Sequence, residues 1–110
     1  MNTTITGLTY AGSFMVDSGQ AMVGDPCYLN DWDTNQGEKW EPEKHTNEYS
    51  YQGASNATLF QAFGELGGGK AVAFTTGYGD GYYPVYVKLD ENDRVAMVVI
   101  DFEGDFDPDA

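Results

Sequence analysis

The stretch GYGDGYYPVYVKLDENDRVAMVVIDF, residues 77–102, decides the fold of this chain. From Tyr82 to Leu89 its residues alternate with a period of two. Val85, Val87 and Leu89 share one face of a strand, and Tyr82, Pro84, Tyr86 and Lys88 share the other. Asp90 to Asp93 carries turn residues, and Arg94 to Phe102 reads as a further strand. That last strand is apolar on both faces, so it is expected at the centre of a sheet, covered on both sides. Ala71 to Thr76 forms a strand ahead of the GYGDG corner. The stretch therefore predicts a C-terminal β-meander.

GYGDG lies between two strands, which excludes a phosphate-binding loop, since such loops open a helix. Closely spaced glycines supply the backbone freedom of a sharp corner. Asp80 can fold its carboxylate onto nearby amides in an Asx turn. Tyr78, Tyr82 and Tyr86 around that aspartate also describe an aromatic-walled, acidic site suited to a cation or polar ligand. Both readings stay open from the residues alone.

Upstream, Thr3 to Tyr10, Phe14 to Val16 and Gln20 to Val23 read as short strands, with Asp25-Pro26 at a strand exit. Residues 30–52 lack any sustained period and form a long polar excursion whose Trp32, Trp40, Tyr49 and Tyr51 argue for an ordered flap. Ser55 or Asn56 can cap a helix running to about Leu66. Leu59, Phe60, Phe63 and Leu66 would be its apolar stripe, and the glycines at 67–69 its end. The expected fold class is α+β, mainly antiparallel β, with one helix packed on the sheet. A single domain over residues 1–110 fits the length.

Eighteen acidic residues against five basic ones give a formal net charge of −13. Such a field repels phosphates and anionic surfaces, so direct nucleic-acid binding is not expected. No apolar run is long enough to span a membrane, and the N-terminus lacks the pattern of a secretory signal. With Cys27 as the one cysteine, no internal disulfide can form, and a reducing, cytoplasmic setting is expected.

SGQAMVGDPCYL (residues 18–29) and the stretch at 77–102 together resemble a family of uncharacterised small domains found in bacteria and phages. Its marks are a serine-glycine strand ending in Asp-Pro and a Gly-Asp-Gly-x-Tyr-Pro-Val-Tyr hairpin closing in Val-x-x-Asp-Phe. The resemblance implies a mainly β fold with one helix and supplies no activity. It also implies a positive φ at Asp93, where the family usually has glycine, and aspartate tolerates that conformation.

No nucleophile–base pair, histidine cluster or cofactor loop is visible. Cys27 would need His45, the one histidine, which lies in the polar excursion. The expected function is non-enzymatic: binding a small polar ligand or a basic protein surface, as a bacterial or phage accessory factor. The expected site residues are Asp25, Tyr28, Tyr78, Asp80, Tyr82 and Tyr86. Two other readings stay open. The acidic tail, residues 103–110, follows Asp101 with acids at every second position, about 6.6 Å apart if extended, as a DNA mimic would require. Asp25, Asp80 and Asp101 could instead bind Mg²⁺ or Ca²⁺ for hydrolysis, which needs them to converge. No organic cofactor is expected, and the aromatic face of the Tyr82 strand could equally serve a homo-oligomer.

Overall fold

The computed structural model describes residues 5–39, 41 and 47–104. The strands among these residues are β1 (Leu8–Val16), β2 (Gln20–Gly24), β3 (Phe63–Leu66), β4 (Ala71–Thr75), β5 (Gly81–Leu89) and β6 (Val95–Ile100). One helix, α1 (Tyr51–Ala57), lies between β2 and β3, and 3-10 turns cover Pro26–Asp31 and Asn35–Gly37. All strand pairs are antiparallel, in two three-stranded sheets ordered β1-β5-β6 and β2-β4-β3. The fold is thus α+β and mainly antiparallel β. It divides into two compact units: Ser18–Thr76, and the residues on either side of that segment.

In Ser18–Thr76, the core is Tyr49, Ala54, Ala57, Leu66, Ala71 and Ala73, with Trp32 packed against it. The helix is a correction to the expected one. Ser50 caps it, its hydroxyl accepting from the Gly53 amide at 2.9 Å, and it ends where the expected helix would begin. The apolar spacing at Leu59, Phe60, Phe63 and Leu66 belongs instead to a loop and to β3, which pairs with β4 from Phe63 opposite Phe74 to Leu66 opposite Ala71. Of these four residues Leu66 alone is buried, and Phe60 is 95% exposed. Small residues decide the outcome. A Cβ on Gly64 would meet the Ala57 Cβ at 2.9 Å, so helix and strand approach more closely than a stripe of large side chains would allow. The three glycines after Leu66 turn the β3–β4 hairpin, each at positive φ, rather than ending a helix.

The polar excursion is ordered where it is described. Asn35, Ser50 and Gln52 are buried. The Asn35 amide donates to Glu48 Oε2 at 3.1 Å, and its carbonyl oxygen accepts from the Gln52 backbone at 2.8 Å. The Gln52 side chain donates to the Asn35 and Glu38 carbonyls, and the Ser50 hydroxyl donates to Glu48 Oε2 at 2.7 Å. Buried polar groups tolerate loss of water only when bonded in this way. The Trp32 ring stands edge-on to Tyr49 with centroids 5.1 Å apart; Trp40 lies outside the described residues.

In the other unit β5 is the central strand. β1 replaces β4 beside it, so of the expected meander only the β5–β6 hairpin forms. β6, expected at the centre, is an edge strand, and Val95, Met97 and Val98 on it are exposed. Apolar composition on both faces sets what a strand avoids, not which neighbour it receives. The β5–β6 turn has Asp93 at φ 63°, as the aspartate-for-glycine reading requires. Asp90 Oδ1 closes it by accepting from the Asn92 and Arg94 amides at 2.8 and 3.0 Å.

Leu66→Ala should cost about 2–5 kcal/mol in denaturant unfolding, because Leu66 is fully buried. Val98→Thr on exposed β6 should stay within about 0.5 kcal/mol; a loss at Val98 comparable to that at Leu66 would contradict the edge position. The Arg94 amide first, then that of Asn92, hold the Asp90 carboxyl below its ordinary value. Its contribution to the hairpin is complete above the usual aspartate pKa of about 3.9 and is lost as pH falls through the lowered one. A carboxyl-carbon titration by NMR should place the Asp90 midpoint below that of the same aspartate in a peptide; a midpoint at or above it contradicts the turn.

Candidate binding cleft

The β5–β6 ladder ends where Ile100 pairs with Val85, so residues 81–84 of β5 are paired only with β1. Pro84 sits in this one-sided segment, where a missing N–H is best tolerated. Beyond β6 the chain turns sharply, as Asp101 Oδ1 accepts from the Glu103 and Gly104 amides at 3.0 and 3.1 Å. A cleft of about 350 Å³ opens alongside. Tyr78, Tyr82, Tyr86 and Phe102 line it with aromatic rings, and Asp101 and Glu103 bring carboxylates. No basic side chain among the described residues lines it.

Tyr83, which also contributes to the wall, holds the surrounding elements together. It is buried, and its hydroxyl donates to the Gly79 carbonyl at 2.8 Å. Its ring stands edge-on to Phe102 with centroids 5.0 Å apart and lies 6.4 Å from that of Phe14, its partner on β1. One side chain thereby ties together the corner, the turn after β6 and β1. In the corner itself, Gly79 takes φ 84°, the left-handed conformation expected of a glycine there. Gly77 serves close approach instead, since a Cβ there would come within 2.8 Å of Glu103 Cγ. The Tyr83 hydroxyl secures the corner through its bond to Gly79.

Sequence reasoning missed Tyr10. A bulge between Tyr10 and Gly12 shifts the β1 register by one residue, so that Met15 pairs with Tyr82, Ser13 with Pro84 and Tyr10 with Tyr86. Without that extra residue Tyr10 would fall on the opposite face. The Tyr10 hydroxyl and Ser13 Oγ lie 2.7 Å apart across the bulge, and the Tyr10 and Tyr86 rings meet edge to face at 6.0 Å. The row of tyrosines therefore continues onto the neighbouring strand. Gly12 inside a strand pattern was the available signal.

The expected site residues fall into two groups. Tyr78, Tyr82 and Tyr86 share the cleft, while Asp80 stands exposed on the corner and does not line it. Asp25 and Tyr28 belong to the Ser18–Thr76 unit. Asp25 Oδ1 accepts from the Cys27 amide at 2.9 Å, capping the Pro26–Asp31 turn. Asp25 also lines a smaller cleft, of about 170 Å³, with Met22, Leu29 and Tyr49. The Lys70 ammonium lies 5.9 Å from the centre of the Tyr28 ring and 3.5 Å from Asp31. Of the three aspartates considered for a metal, Asp25 is in this unit and Asp80 and Asp101 are in the other. Within neither unit do three or more His, Cys, Asp or Glu side chains among the described residues form a metal-holding group. Cys27 is exposed; His45 and the tail acids Asp105, Asp107 and Asp109 lie outside the described residues.

The family model described as Protein of unknown function (DUF4241) matches residues 7–100, and the chain belongs to that family. No curated protein and no solved structure matches it. No helix among the described residues is long and apolar enough to cross a membrane.

Tyr83→Phe keeps the ring and removes the bond to Gly79. It should cost about 0.5–1.5 kcal/mol and speed amide exchange selectively in residues 78–81. Unchanged exchange there would show that the hydroxyl does not hold the corner.

Proposed function

We propose that this chain is a non-enzymatic binding protein whose cleft beside β5 receives a small polar ligand or a protruding group of a partner protein. The observation that carries this reading is the convergence of aromatic rings and carboxylates on one open cleft, at the point where the β5–β6 ladder stops. Tyr78 and Tyr82 are 75% and 69% exposed there. Tyrosine offers a rigid, amphipathic contact surface at a small loss of side-chain freedom, which is why such rings suit recognition. Carboxylates beside them add direction and polarity. A cytoplasmic accessory role in a bacterium or phage belongs to the same proposal, supported by the single cysteine and by the bacterial and phage setting that the sequence resemblance implies.

The test is a titration of the full chain with a panel spanning charge: arginine amide, spermidine, glucose, urea and citrate, read from the tyrosine ring resonances. At least one compound should shift Tyr78, Tyr82 and Tyr86 saturably, and Tyr82→Ala and Tyr86→Ala should each weaken that binding at least about tenfold, as expected for loss of a stacking ring. The backbone spectrum should remain folded in both variants. A panel without any saturable shift at these rings, or binding that survives both substitutions, would overturn the reading.

A further inference from the structure

Resting on that reading, we infer that the cleft selects an organic cation of the guanidinium type, such as an arginine side chain. Its walls are chemically one-sided. Tyr78, Tyr82, Tyr86 and Phe102 present aromatic rings, and the charges among the lining residues are the carboxylates of Asp101 and Glu103. Aromatic faces attract cations through their quadrupole, and two carboxylates reinforce that attraction. The chain's charge of −13 opposes an anion from long range.

The backbone fixes one of the two carboxylates. Asp101 is held by the two amides donating to its Oδ1, and the exposed Glu103 side chain lies over Gly77, where a Cβ would come within 2.8 Å of its Cγ. The kind of cation follows from the walls. Mg²⁺ and Ca²⁺ take oxygen ligands, so the four aromatic rings of the wall offer them nothing, and on two carboxylates they would keep most of their water. A compact ammonium is strongly hydrated and gains most from an enclosing cage, whereas this cleft is open enough to leave Tyr78 and Tyr82 largely in water. A guanidinium is flat and weakly hydrated. It stacks on a ring while its edge pairs with a carboxylate through two parallel hydrogen bonds.

The full chain is titrated with N-acetyl-arginine amide, its neutral isostere N-acetyl-citrulline amide, and N-acetyl-lysine amide, following the Tyr78, Tyr82 and Tyr86 rings. The arginine compound should bind most tightly, citrulline at least about tenfold more weakly, and lysine between them. Glu103→Gln, which keeps the shape, should weaken arginine by about threefold, the scale of an exposed ion pair, and raised salt should do the same. Citrulline binding as tightly as arginine would overturn the cation assignment while leaving the binding reading intact, as would glucose shifting the rings when arginine does not. Lysine binding more tightly than arginine would overturn the preference for guanidinium. A Gly-Gly-Arg-Gly-Gly peptide separates the two sources of the group. Tighter binding of the peptide than of the amide identifies a protein side chain, equal binding a free small molecule, and both support the assignment.

Discussion

The hydrogen bond from the Tyr83 hydroxyl to the Gly79 carbonyl is the constraint around which the cleft is built. Tyr83 is the one buried residue of β5, and its ring packs on Phe14 and Phe102, residues from the two ends of the chain. Directing that ring inward leaves Tyr82, Pro84 and Tyr86 alternate to it along the strand. Burial of one tyrosine and display of its neighbours are thus a single decision of strand parity. The same contact keeps Phe102, and with it the Asp101 turn, beside the corner.

Parity also explains what could be read in the sequence. The alternation through β5 was legible because half-buried strands announce themselves by a period of two. So was the hairpin at Asp90–Asp93, where the expected positive φ at Asp93 is observed. Tyr10 was not legible, because a one-residue bulge reverses the faces of everything before it and only Gly12 hinted at one. Three of the cleft's tyrosines were found from residue type and spacing. The carboxylate of Glu103 was not, since its place follows from a turn made after β6 and from the space over Gly77.

The Ser18–Thr76 unit shows where spacing misleads. Leu59, Phe60, Phe63 and Leu66 have helical intervals, yet hairpin pairing to β4 claims the last two, and the helix forms earlier from small residues that permit close contact. Periodicity over so short a run cannot separate the two outcomes. The excursion at 30–52 was read as an ordered flap from its aromatic residues, and Trp32 does pack on Tyr49. Its polarity did not reveal that Asn35, Ser50 and Gln52 turn inward and satisfy one another and Glu48. Polar residues imply exposure only when they lack partners, and partners at a distance in sequence are what composition does not reveal.

The cleft depends most directly on the packing of Tyr83. In a solution NOE spectrum of the full chain, the Tyr83 ring protons should show cross-peaks to both Phe14 and Phe102, matching centroid separations of 6.4 and 5.0 Å. A Tyr83 ring that sees Phe14 but not Phe102 would mean that the turn after β6 does not border the corner, and the cleft as described would not exist.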